Sequence, residues 1–180
     1  GVMQKELGDD YFVIPAGLNG RTTLWEDPID QYRCGQAHLI PCLDMFDPLD
    51  LVIIMIGSND MKQRFSLSPQ DAAYGAGILV DMALHHESCY GDGGPNVLLI
   101  CPPPLGPVSN TQFKYQFAGG EEKSKLMHIF YEQEAQKYNV PFINAGDYIH
   151  SSELDGLHLD ADQHAILGKV VAEKVLEIFS

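Results

Sequence analysis

The sequence predicts an α/β fold, a doubly wound parallel sheet with helices on both faces. Short continuous apolar runs recur at residues 11–16, 51–56, 97–101 and 140–143, and a strand buried on both faces loses the polar alternation of a half-exposed one. Longer helical patterns separate the later runs, and strands alternating with helices imply right-handed crossovers. With 180 residues, 45% of them hydrophobic, the chain has enough apolar side chain for a core of its own, and residues 1–180 are expected to form one domain.

Each helical element has its own signal. The segment 68–86 opens Ser68-Pro69-Gln70-Asp71, which supplies an N-cap hydroxyl, a proline at the first helical position and an acidic residue at the third. Residues 121–138 follow a Gly-Gly break and place Leu126, Ile129, Phe130 and Tyr138 at helical spacing. The closing segment 160–179 carries Ile166, Leu167, Val170, Val171, Val175 and Ile178 as one apolar stripe. Residues 21–48 are the least regular part. Pro102-Pro103-Pro104 must leave its strand as a loop, because proline cannot continue a ladder.

Charge and composition narrow the function classes. Twenty-five acidic against 11 basic side chains give a formal charge of −14, which repels polyanions, so no nucleic-acid partner is expected. No apolar run approaches the roughly 20 residues that span a bilayer, and no signal-peptide pattern opens the chain; a cytoplasmic protein without a membrane partner is the expectation. Cys34, Cys42, Cys89 and Cys101 form no CxxC pair and no zinc-ligand spacing, and read as buried or incidental thiols in a reducing compartment. Neither metal nor organic cofactor is implied.

In a doubly wound sheet ligands bind beyond the carboxyl ends of the strands. Three segments fall there. Gly17-Leu18-Asn19-Gly20-Arg21-Thr22-Thr23 follows the first run, and its glycines let the backbone turn sharply and point an N–H outward, as an oxyanion hole requires; it reads equally as a strand-to-loop turn. Gly57-Ser58-Asn59-Asp60 follows the second run, where the Asn59 amide is a neutral oxyanion donor, although Gly-x-Asn-Asp is also a good turn. Ser58 lacks the Gly-x-Ser-x-Gly elbow of an exposed nucleophile. Asp155-Gly156-Leu157-His158 precedes the last helix. A turn through Gly156 brings the carboxylate to one imidazole nitrogen and leaves the other for a nucleophile, or Asp155 is a turn residue and His158 a surface histidine. His38, His85, His86, His128, His150 and His164 show no comparable partner arrangement, and most read as solvated helix or loop residues.

In this order, together with Pro102-Pro103-Pro104 and the run Leu51-Val52-Ile53-Ile54-Met55-Ile56, the blocks resemble the SGNH or GDSL hydrolases, and most closely their arylesterase and acyltransferase branch. The resemblance runs from about Tyr11 to Phe179. It implies a flavodoxin-like three-layer α/β/α fold and a serine esterase or acyltransferase acting on small acyl esters, with His158 as general base, Asp155 as its orienter, and Gly20 and Asn59 as oxyanion donors.

The block that carries the nucleophilic serine in such enzymes, Gly-Asp-Ser-Leu or similar, should stand before Gly20 and is not in the sequence. Gly8-Asp9-Asp10 has no serine. The nucleophile is therefore expected to lie outside an N-terminally truncated chain, along with the first strand, which such a strand order places between the second and third. Three outcomes follow for the slot: a retained N-terminal fragment fills it, the strands close up, or another copy pairs there in a homo-oligomer. A catalytically silent binding or assembly module is the alternative function. A phosphate-binding flavodoxin-like domain is disfavoured, since no Gly-rich phosphate loop follows the early strands.

Overall fold

In the computed structural model, which describes residues 1–90 and 93–180, three parallel strands pair in the order β1-β2-β3: β1 (Leu51–Met55), β2 (Asn96–Cys101) and β3 (Phe142–Asn144). Leu51 lies beside Asn96, Met55 beside Ile100, and Leu99 beside Phe142. Alternate residues of β2 serve opposite faces. Val97, Leu99 and Cys101 join a core that holds residues of α3 (Pro69–Leu84) and α5 (Met127–Tyr138). Leu98 and Ile100 join a second core with residues of α1 (Val2–Leu7) and α6 (Ala161–Ile178). The result is the helix-sheet-helix layering that continuous apolar strands require.

The start of α3 forms as its sequence dictates. Asp71 N–H donates to the Ser68 hydroxyl (3.1 Å), Ser68 N–H donates back to the Asp71 carboxylate (2.8 Å), and Pro69 takes the first helical position. In α6 the inner stripe is Leu167, Val171, Ala172 and Val175, and Ile166 turns partly to solvent.

Residues 11–16 correct the expectation of a strand, since among the described residues they pair with no strand. A strand needs a partner ladder, and the structure offers this run a side chain in its place: Gln4 Nε2 donates to Tyr11 C=O (2.8 Å) and Val13 N–H donates to Gln4 Oε1 (2.8 Å). The irregular stretch 21–48 contains a helix, α2 (Gly35–Phe46), with Pro41 inside it. The segment 121–138 is two helices, α4 (Gly120–Ser124) and α5. The core-facing side of α5 is only in part the expected one: Phe130 and Tyr138 pack partly buried against the core and Met127, Tyr131 and Ala135 are buried, whereas Leu126 and Ile129 are about half exposed. The Tyr131 hydroxyl donates to Ile56 C=O (2.7 Å) across the interior, which fixes that face inward.

Candidate active site

The three predicted segments lie along or beside one groove of about 1170 Å³ that follows the free edge of β1. Asn59 and His158 both line it, with Gly17 to Asn19 and Arg21 from the first segment. The turn after β1 starts at Gly57, whose φ of +119° suits glycine and where a Cβ would collide with the Tyr131 hydroxyl. Ser58–Met61 then forms one 3-10 turn that carries Asn59. Among the described residues, neither the Asn59 amide nor the Gly20 N–H has a hydrogen-bond partner, and Gly20 has the left-handed φ of +79°.

His158 is held by its own loop. Asp155 Oδ1 accepts the backbone N–H groups of Leu157 and His158 (2.9 Å each), and Asp155 Oδ2 lies 2.7 Å from His158 Nδ1. That contact makes Nδ1–H the donor to Asp155, and in the neutral ring it leaves Nε2 as an acceptor. Ser152 N–H donates to His158 C=O (2.7 Å), Gly106 N–H donates to Gly156 C=O (2.8 Å), and the Phe113 ring meets the imidazole edge-on at 5.9 Å. Burial pushes the Asp155 carboxyl up, but the hydrogen bonds from His158 and Leu157 outweigh it and hold the group below its usual range.

A buried tie fastens the Gly20 segment to the Asn59 turn, and an ion-pair cluster joins the residues that follow each. Thr23 donates to the Asp60 carboxylate through its backbone N–H (3.1 Å to each oxygen) and through its hydroxyl. Lys62 and Arg64, just beyond the turn, clamp Asp27 at 2.9 and 2.7 Å, with Lys62 also 3.1 Å from Asp30. Burial pushes Asp60 up to about 7 against the hydrogen bonds from Thr23. For Asp27 burial acts in the same direction, but the donors from Lys62, Ile29, Asp30 and Arg64 hold it well below the usual range.

No serine of the described residues bonds His158 Nε2. Ser151 donates to Pro104 C=O and Ser152 to Asp160, at 2.9 Å each. Two further histidines lie near an aspartate: His85 Nδ1 is 3.3 Å from Asp81, and His86 Nε2 is 3.6 Å from Asp44. Neither lines the groove, whereas His38 and His164 do. Among the described residues no group of three or more His, Cys, Asp or Glu is arranged to hold a metal, and no helix is long and apolar enough to cross a membrane.

The pattern of a GDSL-like lipase/acylhydrolase matches residues 2–166. The chain belongs to that family. This GDSL-family chain is similar to the inhibitor-bound aryl esterase of M. smegmatis, with 39% identity and a TM-score of 0.93 over 98% of this chain and 83% of that one. It is likewise similar to a carbohydrate acetylesterase from Sinorhizobium meliloti, with 40% identity and a TM-score of 0.95 over 99% of this chain and 84% of the other. A lipase/acylhydrolase from Enterococcus faecalis, 16% identical with a TM-score of 0.59 over 87% of this chain and 71% of its own, shares the fold alone. No curated protein matches the chain. The family and these relatives make the GDSL chain one of an esterase family with an α/β fold.

Proposed function

We propose that the complete protein hydrolyses or transfers the acyl group of small acyl esters through a Ser-His-Asp triad whose serine lies outside these 180 residues. The observation that carries the reading is the Asp155–His158 contact of 2.7 Å on the rim of the groove that Asn59 also lines. The serine oxygen attacks the ester carbonyl as His158 Nε2 takes its proton, and Asp155 steadies the imidazolium. The Asn59 amide and the Gly20 N–H donate to the tetrahedral oxyanion. The intermediate collapses as the leaving alcohol takes the proton from His158, and water or a second alcohol then releases the acyl group by the same steps in reverse order.

The test is to join a serine-bearing segment ahead of Gly1 and measure p-nitrophenyl acetate hydrolysis. Activity that His158→Ala abolishes is the expected outcome; activity that survives the substitution rejects the assignment.

A catalytically silent binding module is the second reading, favoured by the absence of any hydroxyl on His158 Nε2 among the described residues. Fluorophosphonate labels an activated serine only. The 180-residue chain is expected to stay unlabelled, and the serine-completed protein to be labelled if it is an esterase and unlabelled if it is a binding module.

A further inference from the structure

Among the described residues Arg21 is the one Lys or Arg side chain that lines the groove. Its Nε is also the one buried side-chain nitrogen or oxygen among them without a hydrogen-bond partner. Buried polar groups are satisfied almost without exception, and a charged one is costly to leave alone. Acids are not scarce in a chain of charge −14, yet none pairs with Arg21. Asp27 and Asp30, in the same segment, are held by Lys62 and Arg64. Asp10 and Asp50 share the groove and form no ion pair among the described residues.

The backbone fixes where the guanidinium starts. Arg21 N–H donates to Leu18 C=O (3.3 Å), closing a turn whose third residue is Gly20 at φ +79°. On its other side Thr22 N–H donates to Arg33 C=O (3.0 Å). Arg33 lays its Cδ and Nε 3.5 Å from the point that a Cβ on Gly20 would occupy, and its Nη1 donates to Gln31 C=O at 3.4 Å. Two guanidinium groups thus attend Gly20, and neither holds a carboxylate. Burial and the Arg33 charge act against the Arg21 cation, with Cys42 acting for it; a guanidinium stays charged regardless. His38 and Cys42, one turn apart on α2, line the groove as well. Burial, and then the Arg21 charge, hold His38 below the ordinary histidine range, so at neutral pH it adds a hydrogen-bonding group and no charge.

What this cation lacks is an acceptor with two oxygens in one plane. A guanidinium presents Nε–H and one Nη–H side by side, which matches a carboxylate bidentately. Phosphate fits less well. The average field of a chain of charge −14 opposes a dianion more than a monoanion, and no Gly-rich phosphate loop leads into the segment.

We propose that Arg21 is a binding site for a carboxylate, and that in the esterase it selects acyl esters bearing one over neutral esters of the same shape. The proposal rests on the esterase reading for the reaction, but not for the anion site itself. Arg21 follows Gly20 in the chain, and Asn59 and His158 line its groove, so one small molecule can meet the guanidinium and the proposed oxyanion donors together. The carboxylate is a handle: it accepts two N–H bonds and takes no part in the bond changes at the ester.

The probes are meta- and para-acetoxybenzoate, with the carboxylate on the alcohol side, monomethyl glutarate, with it on the acyl side, and the fully methylated form of each. Binding to the 180-residue chain is read from the Arg21 Nε–H resonance. At least one carboxylate probe should shift it and bind about tenfold or more tightly than its methylated form. Arg21→Gln should abolish that advantage, and Arg21→Lys, which keeps the charge and loses the fork, should retain part of it. No shift with any probe at millimolar concentration overturns the proposal, as does an advantage that survives Arg21→Gln. If Arg21→Gln does not fold, the wild-type shift and the reduced advantage in Arg21→Lys decide it. In the protein completed with a serine-bearing segment, kcat/KM for the preferred carboxylate ester relative to its methylated form should fall by about tenfold or more in Arg21→Gln. Equal losses on both esters overturn the selection, and so does anion binding that vanishes once the segment is joined, which assigns Arg21 to the segment. The two readings fail separately. Probe binding at Arg21 without hydrolysis of any ester upholds the anion site and counts against the esterase; hydrolysis with neither preference nor binding does the reverse.

Discussion

Asp60 accepts both the backbone N–H and the hydroxyl of Thr23, two residues 37 positions apart in the chain and wholly removed from solvent. This tie sets the segment that contains Gly20 against the turn that contains Asn59. The proposed oxyanion hole, drawn from these two loops, would depend on their separation staying fixed, because such donors act through preorganisation. The Asp60 carboxyl is buried with no counter-ion in contact among the described residues, and burial raises it to about 7.

A stability consequence with a definite sign follows. The native carboxyl keeps its proton between the unfolded carboxylate range and about pH 7, where the unfolded chain has lost it. The native state then binds more protons, and the contribution of Asp60 to stability falls as pH rises through that window. Asp60→Asn removes this contribution, so the stability lead of the wild type over the variant should shrink from pH 5 to about pH 7. Urea midpoints across that range decide it. A lead that grows with pH contradicts the assignment. Thr23→Val, which deletes one of the donors, should cost about 1–3 kcal/mol.

The Lys62–Asp27 pair behaves in the opposite way. Both side chains are nearly inaccessible, and Asp27 is held below the usual carboxylate range, so its contribution is present at neutral pH and lost as pH falls below the unfolded value. Lys62→Met leaves the buried carboxylate with the partly exposed Arg64 as its remaining cationic partner and should cost about 3 kcal/mol or more. Replacing both members, Asp27→Leu with Lys62→Met, should cost less than Lys62→Met alone, because the buried carboxylate leaves with its buried partner, and the more exposed Arg64 and Asp30 stay within 3.9 Å of each other. Equal or larger loss in the double variant would show that the pair stabilises by more than mutual neutralisation.

How much of this was legible in the sequence depends on where each signal originates. The start of α3 could be read because Ser68, Pro69 and Asp71 form a local cap, and β1 and β2 because a strand covered on both faces is apolar throughout. The pairing of Asp155 with His158 was legible for the same reason: its partners are three residues apart. By contrast α2 lacks a side-chain cap. Its first N–H groups, of Gly35 and Gln36, donate to the carbonyls of Thr22 and Thr23, and at Gly35 a Cβ would press against those carbonyls. That cap is tertiary, and no local pattern reports it.

Residues 11–16 show the converse failure. The run has the composition of a strand, but composition cannot supply a neighbour, and without one the backbone turns to Gln4. The α5 face was read correctly at Phe130 and Tyr138 and misread at Leu126 and Ile129, which are more apolar than Tyr131, while the interior takes Tyr131 with its bond to Ile56 C=O. Neither the Thr23–Asp60 tie nor the Asp27–Lys62 pair has a sequence signature, since each joins segments more than 30 residues apart.

Gly57 offers a check on the turn that presents Asn59. Its φ of +119° and the Tyr131 hydroxyl both exclude a side chain, so Gly57→Ala should destabilise by about 1–3 kcal/mol from backbone strain, and by more where the tyrosine cannot move. Tyr131→Phe removes the colliding oxygen together with its bond to Ile56 C=O. The double variant should therefore be more stable than the sum of the single effects predicts. Strict additivity in thermal unfolding rejects the collision as the cause.

The sharpest test of the site concerns Asp155 in the protein completed with a serine-bearing segment. Its Oδ1 is engaged by two backbone N–H groups and its Oδ2 by His158 Nδ1. In Asp155→Asn the amide oxygen must stay with the two backbone donors, which turns the NH₂ toward Nδ1. The ring then accepts at Nδ1 and carries its proton on Nε2, the wrong tautomer to take a proton from serine. The expected loss is on the order of 10³–10⁴ in kcat with KM little changed. Asp155→Ala, which leaves the imidazole free to choose its tautomer, should retain more kcat than Asp155→Asn. A wild-type kcat in Asp155→Asn, or an alanine variant poorer than the asparagine one, removes tautomer control from the role of Asp155.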